Sequence, residues 1–236
     1  MNKKAVVLVS GGLDSATVVA MAQDMGFAVY ALTLNYGQRN DAELISARAV
    51  TSFLKVSGHQ IIDLDLRVFG GSSLTDSIEV KAHNDAVPSE IPSTYVPARN
   101  TIMLSLALAY SEVVGANDIF YGANVHDYSG YPDCRPEYVQ AFEAMANLAT
   151  KASTLGHRLK IHAPLVGLTK AEIIATGAKL GVDYGLTLSC YDPQKGLACG
   201  HCSACFYRRK GFTEASVLDP TVYLTPSPAP TPHAPT

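Results

Sequence analysis

Residues 10–15, Ser-Gly-Gly-Leu-Asp-Ser, join backbone freedom to two hydroxyls and a carboxylate directly after an apolar, β-branched run at residues 5–9. A strand that ends in glycines and runs into the alanine-rich, apolar helical pattern of residues 13–25 places those glycines on a strand-to-helix turn. The amides of such a turn face a helix N-terminus and bind an anion. A Walker A loop would follow its glycines with lysine, and a dinucleotide fingerprint would read Gly-x-Gly-x-x-Gly; neither pattern is present. The cradle therefore consists of neutral amides and the hydroxyls of Ser10 and Ser15, with Asp14 placed to face a metal. That set suits a pyrophosphate arriving with Mg²⁺.

Other residues with chemical capacity follow along the chain. Arg39 closes Tyr36-Gly37-Gln38-Arg39 and offers a planar fork to phosphate or carboxylate. Arg99-Asn100 follow Pro97 near a helix start, where they can join an anion site or simply cap the helix. Thr169 and Glu172 form a capping box, and Lys170 stands in that first turn, opposed by the helix dipole unless an anion meets it. Residues 124–137 are dense in groups able to read a heterocycle: Asp127, Asp133 and Glu137 for ring and amino N–H donors, Tyr128 and Tyr131 for stacking, Arg135 for a carboxylate. Cys134 reads as a small buried side chain. Cys190, Cys199, Cys202 and Cys205 give Cys-x₈-Cys-x₂-Cys-x₂-Cys, four thiolates that close a tetrahedron around zinc and leave no position for water, hence a structural role. His201 lies between these ligands and is not needed by them.

The elements that must hold these groups alternate. Strands are expected at residues 5–9, 28–34, 60–66, 118–123 and 159–163, with helices at 13–25, 41–54, 101–114 and 138–154. This alternation implies a parallel sheet with helices on both faces, whose ligands gather beyond the strands' carboxyl ends. Residues 70–95 lack periodicity and are expected to be a loop that closes over the site. The basic run at 207–210 reads as a solvated face, and the proline-rich stretch 226–236 as a disordered tail.

The chain has 236 residues, 47% hydrophobic, a net charge of −3 and a pI near 6.1. The balance is wrong for a large phosphate-backbone footprint and favours a small-molecule partner over nucleic acid. No apolar run reaches membrane-spanning length, and the N-terminal run is too short for a signal-peptide core. Four of the five cysteines crowd into residues 190–205, which fits a metal site in a cytoplasmic protein better than a disulfide framework.

Ser10-Gly11-Gly12-Leu13-Asp14-Ser15 resembles the loop of the PP-loop ATP pyrophosphatases, which adenylate an acceptor oxygen. With Tyr36-Gly37-Gln38-Arg39, Pro97-Ala98-Arg99-Asn100, the stretch from Asp127 to Glu137, Leu168-Thr169-Lys170-Ala171-Glu172 and Cys199-Gly200-His201-Cys202, the chain resembles the 7-cyano-7-deazaguanine synthases over residues 5–212. The run at 127–137 discriminates, because the first loop is shared with enzymes that make GMP, NAD, argininosuccinate and modified tRNA bases. Asn35 and Asn40 stand where that family is expected to carry aspartate and histidine, and Ser203-Ala204 where Asp-Ser is usual.

The resemblance implies a Rossmann-like α/β fold of the adenine nucleotide alpha hydrolase type over residues 1–185, a zinc-bearing element at 186–225, and a likeness to homodimers. It implies conversion of 7-carboxy-7-deazaguanine, ammonia and ATP to the nitrile preQ0, a precursor of queuosine, through an adenylated carboxylate and then an activated amide. Nucleotide binding is implied for Leu8, Val9, Ser10, Gly11, Gly12, Leu13, Asp14, Ser15, Ala16, Thr17 and Val18. Asp14 is assigned to Mg²⁺, and Arg39, Arg99 and Lys170 to charge developing on the phosphates, so that these and Ser15 carry catalysis. Asp127, Tyr128, Tyr131, Asp133, Arg135 and Glu137 would hold the deazaguanine, and ammonia would come from solution or a partner. The rival readings are a tRNA-modifying sulfurtransferase or lysidine-type synthetase on the same loop, and a zinc-dependent nucleic-acid module, which would leave Asp14 without a purpose.

Overall fold

The computed structural model describes residues 3–38, 41–83, 91–124 and 131–224. Five strands, β1 (Lys3–Leu8), β2 (Phe27–Asn35), β3 (Gly58–Asp63), β4 (Asp118–Phe120) and β5 (Lys160–His162), form one sheet in the order β3-β2-β1-β4-β5. Every pairing is parallel. Among the described residues seven helices connect and cover it: α1 (Leu13–Asp24), α2 (Ala42–Phe53), α3 (Arg99–Val114), α4 (Pro136–Ala149), the single turn α5 (Lys151–Thr154), α6 (Lys170–Lys179) and α7 (Ser203–Glu214).

Strand periodicity sorts the core into two layers. Ala5 and Val7 of β1, with Val9 just beyond it, point into a cluster with α1, Ala47 and Val50 of α2, Ile173 and Ile174 of α6, and Phe212 of α7. The alternate residues Val6 and Leu8 point the other way, onto Leu104 and Ala107 of α3 and Phe142 and Ala146 of α4. β4 divides likewise, with Phe120 on the first side and Ile119 and Tyr121 on the second. A strand apolar on both faces has to sit in the middle of a covered sheet, and β1 does so.

Boundaries shift by a few residues from those expected. The helix over residues 138–154 is broken: α4 stops at Ala149, and Thr150 takes extended backbone and caps α5 by accepting from the Ser153 amide at 3.4 Å. The strand expected over 118–123 ends at Phe120, freeing 121–124 to line a cavity. Residues 66–68, the first of them expected at the end of a strand, form a 3₁₀ turn capped by Asp65.

A third apolar cluster lies beyond the sheet, where Leu34, Tyr36, Leu66, Leu74, Val80 and Val96 meet the four clustered cysteines. The described parts of the loop expected to close over the site pack here: Ala82 bridges Cys202, the His83 amide donates to the His201 carbonyl at 2.9 Å, and the His83 ring stacks on Phe206 at 3.8 Å. Residues 84–90 of that loop and the tail expected to be disordered lie outside the described residues.

The basic run does not behave as a solvated face. Arg208 is 1% exposed and ties α7 to the chain on both sides of it, donating to Asp219 at 3.1 Å, Thr187 at 2.8 Å and the Tyr184 carbonyl at 3.0 Å. Arg209 donates to the Gly200 carbonyl at 3.0 Å and lies over the Tyr223 ring at 3.8 Å. Only Lys210 of the three is exposed. Consecutive helical residues point about 100° apart, so a short run of like charge cannot form a single face.

Candidate active site

A cavity of about 270 Å³ opens beyond the carboxyl ends of β1, β2 and β4. It stands where the strand order turns from β1 to β2 on one side and β4 on the other, the place where open α/β sheets bind ligands. One wall is the first loop. Gly11 has φ +88°, and a Cβ there would stand 2.4 Å from the Glu43 carbonyl and 2.7 Å from the Ala47 amide nitrogen. Only glycine permits both that backbone and the close approach of α2.

The loop's amides point at hydroxyls. Ser10 N–H donates to Ser15 Oγ at 3.2 Å, Gly12 N–H to Ser10 Oγ at 3.3 Å, and Leu13 N–H to Ser189 Oγ at 3.3 Å. These are long bonds to rotatable acceptors at the start of α1, the arrangement in which an anion can replace them. Asp14 faces Lys170, whose Nζ donates to both carboxylate oxygens at 2.7 and 2.8 Å. The lysine side chain is 10% exposed and the aspartate 32%. The capping box holds this lysine in register, since the Thr169 side chain accepts from the Glu172 amide and Glu172 accepts from the Thr169 amide at 2.8 Å.

Arg99 enters from the opposite wall. It is the first residue of α3, two positions before the start expected at Thr101, and Ala98 before it takes the left-handed conformation at φ 54°, ψ 20°. That backbone is costly for a residue with a Cβ and aims Arg99 and Asn100 into the cavity. The Arg99 guanidinium donates to Tyr36 Oη at 3.4 Å and lies over its ring at 5.6 Å. Burial works to lower the Arg99 pKa, but Tyr36, Tyr131 and Glu43 together raise it above the usual value. Glu43, in the first turn of α2, also lines the cavity. Burial pushes its carboxyl up to about 7, with Arg99 only partly offsetting the effect.

Most of the expected nucleotide and charge-bearing residues thus share one space: Leu8, Val9, Ser10, Gly12, Leu13, Asp14, Ser15, Arg99 and Lys170 all line it. Gly11 supports from behind. Ala16, Thr17 and Val18 are buried in α1, where Thr17 hydrogen-bonds the Leu13 carbonyl and Tyr184. Tyr131 lines the cavity and pairs with Thr94 at 2.7 Å. Asp133 is buried behind it and accepts from the Asn100 amide at 3.2 Å, fastening the start of α3. Arg135 and Glu137 are exposed and do not line the cavity; Arg135 Nε donates back to the Pro132 carbonyl at 3.1 Å. Arg39, Asp127 and Tyr128 lie outside the described residues, as does Asn40. Asn35 donates to Asp63 at 2.7 Å at the end of β3 and does not reach the cavity.

No residue of the third wall is expected at the site from the sequence. Leu188, Ser189, Tyr191, Ala204 and Tyr207 come from the cysteine-bearing element. Ser189 is held by Arg208 at 3.5 Å and docked by the Leu188 amide, which donates to the Gly11 carbonyl at 3.0 Å. Cys190, Cys199, Cys202 and Cys205 are buried with their sulfurs within 4.8 Å of one another. The Cys199–Cys205 separation of 3.9 Å matches the edge of about 3.8 Å that a tetrahedron with ~2.3 Å zinc–sulfur bonds requires. Hydrogen bonding among the crowded sulfurs pulls the Cys202 thiol down and pushes Cys190 up.

Residues 4–216 match the family model described as "Queuosine biosynthesis protein QueC". The chain belongs to the QueC family. A 7-cyano-7-deazaguanine synthase of Cupriavidus metallidurans is 59% identical over 228 residues, covering 96% of this chain and all of the relative. The synthase of that name from Stenotrophomonas maltophilia is 60% identical over 222 residues, covering 94% of this chain and 99% of its own. Among solved structures, a 4-thiouridine synthetase in complex with RNA and bound ATP superposes with a TM-score of 0.52 over 91% of this chain and 50% of that one, at 16% identity, which shows a common fold. The likeness to QueC proteins covers nearly the whole chain, and the sulfurtransferase alternative has only the shared fold in its favour. No helix among the described residues is long and apolar enough to cross a membrane.

Proposed function

We propose that this chain is an ATP-dependent ligase that converts 7-carboxy-7-deazaguanine and ammonia to 7-cyano-7-deazaguanine for queuosine biosynthesis. The observation that carries the reading is the shared cavity in which the Ser10–Ser15 loop meets Arg99, Lys170 and Tyr131, in a chain alike over 96% of its length to a synthase of that name. A carboxylate is a poor electrophile. Adenylation turns its oxygen into a leaving group, ammonia gives the amide, and a second activation of the amide oxygen lets the nitrile form.

The loop amides of Ser10, Gly12 and Leu13 would exchange their serine hydroxyls for phosphate oxygens, with Gly11 shaping the turn. Arg99 and Lys170, joined by Arg39, would meet charge developing on the phosphates. The Asp14 oxygens keep lone pairs beyond those taken by Lys170 and would hold the Mg²⁺ that accompanies ATP, which neutralises phosphate charge. Tyr131, with Asp127, Tyr128, Asp133, Arg135 and Glu137, would present the base. Cys190, Cys199, Cys202 and Cys205 would hold one structural zinc in the element over residues 186–225, seated on the ATP-binding unit of residues 1–185. A cytoplasmic homodimer acting on a free base, with ammonia from solution or a partner and no nucleic-acid contact, completes the reading.

The test is direct. Incubating the protein with ATP, ammonium and the carboxylated base is expected to yield the nitrile by mass, with none formed when ATP or ammonium is omitted. Consumption of neither base nor ATP would overturn it.

A further inference from the structure

Ammonia at neutral pH is mostly ammonium, which has no lone pair; like a lysine ammonium it holds its proton until something takes it. A site that joins nitrogen to an activated carboxylate therefore needs a proton acceptor beside the acyl carbon. We propose that Glu43 is that base, a role that rests on the reading of the cavity given above.

Three observations carry the assignment. First, Glu43 lines the same cavity as the phosphate loop and lies close enough to Arg99 to feel its charge. Second, no hydrogen bond or ion pair among the described residues occupies its carboxyl, whereas the other carboxylate lining the cavity, Asp14, is held at both oxygens by Lys170. Third, α2 is locked in place by the near contact of its backbone with Gly11, so Glu43 is fixed relative to the loop. Among the described residues the groups that act on it are Arg99 from α3 and Tyr36 just after β2; Tyr191 belongs to the cavity lining, and Asp14 and Lys170 stand paired with each other. A carboxylate at a helix start ordinarily ionises easily. Here burial raises it toward neutrality, which brings it nearer to ammonium as a proton acceptor.

The step balances as follows. Ammonium gives one proton to a Glu43 carboxylate oxygen and keeps that N–H electron pair. The pair forms the C–N bond at the acyl carbon, the C–O bond to the adenylate phosphate breaks, and AMP leaves with the electrons of that bond. The surplus proton on nitrogen passes to water, and Glu43 releases its own proton to water before the next turnover.

Hydroxylamine separates this role from a structural one, because it arrives largely as the neutral base and needs no deprotonation before it attacks. With ammonium at pH 7, Glu43→Gln is expected to lose about 10²-fold or more of product formation. Its loss with hydroxylamine, read as hydroxamate, should be roughly threefold at most, since binding and adenylation are untouched. The ammonium defect should shrink as pH rises and solution supplies free ammonia. Glu43→Asp, which keeps a carboxylate, should recover most of the ammonium rate. Equal losses with the two nucleophiles, or an aspartate variant no better than glutamine, would overturn the assignment. A wild-type protein that forms neither amide nor hydroxamate would instead overturn the reading of the function itself.

Discussion

The two ends of the cavity treat charge in opposite ways. At the α1 end, Asp14 and Lys170 neutralise each other through two short bonds, and the amides above them rest on hydroxyls. At the α3 end, Arg99 has only a phenol within hydrogen-bond reach and Glu43 has no bonded partner among the described residues. The first end is internally paired before anything binds; the second carries unspent charge. A site that grips phosphates by displacing weak acceptors, and does its proton chemistry elsewhere, is organised in this way. The fold keeps the second end despite the cost of burying its groups, which is where function and stability conflict.

Both ends share the wall from the cysteine element, so dissolving that wall should erase the difference between them. Chelation, or Cys199→Ser, is expected to remove about one equivalent of zinc per chain and with it the docking of Ser189 and Tyr191. Stability should fall by several kcal/mol, within the roughly 10–16 kcal/mol of a zinc-finger peptide. Turnover should vanish with it. Metal analysis of the wild type far below one equivalent would sink the four-cysteine proposal.

The paired end can be broken alone. Asp14→Ala should lower nitrile formation by about 10²–10³-fold, the scale set by losing one charge-stabilising group. It strands Lys170, so the fold survives with a loss of about 1–3 kcal/mol, discounted from a fully buried pair because Asp14 is partly exposed. A variant that makes nitrile at the wild-type rate would leave the phosphate-site assignment without support.

How much of this could be read from the chain differs between the two ends. The first loop, the parallel sheet, the capping box and the cysteine spacing are local patterns whose geometry follows from residue type over a few positions, and all of them stand in the structure. Ser189 is 176 residues from the amide it accepts, and nothing in Leu-Ser-Cys announces the partner. Nothing in the sequence separates Glu43 from any other acid in a first helical turn; the approach of α2 to Gly11 brings it to the cavity. The stretch at 131–137 shows the opposite failure. Density of polar side chains gave no direction, and the 3₁₀ turn Pro132–Cys134 buries Asp133 and Cys134 while leaving Arg135 and Glu137 exposed.

The unpaired end can be sharpened by stability rather than rate. The Glu43 carboxyl sits at about 7 in the fold against an ordinary 4.5. Between those values the folded chain holds more protons than the unfolded one, so this group's contribution is present below about pH 4.5 and is lost as pH rises through 7. Glu43→Gln is neutral throughout and escapes that loss. The variant and the wild type should melt together near pH 4.5 and separate as pH rises. At pH 8 the variant should be ahead by about 1–2 kcal/mol after allowance for solvent screening, or roughly 2–8 °C. A more stable but less active protein at high pH is the signature of an acid kept for chemistry. A gap that does not change with pH would mean that the carboxyl ionises in the fold as it does in water, and the contrast between the two ends would then reduce to the arginine alone.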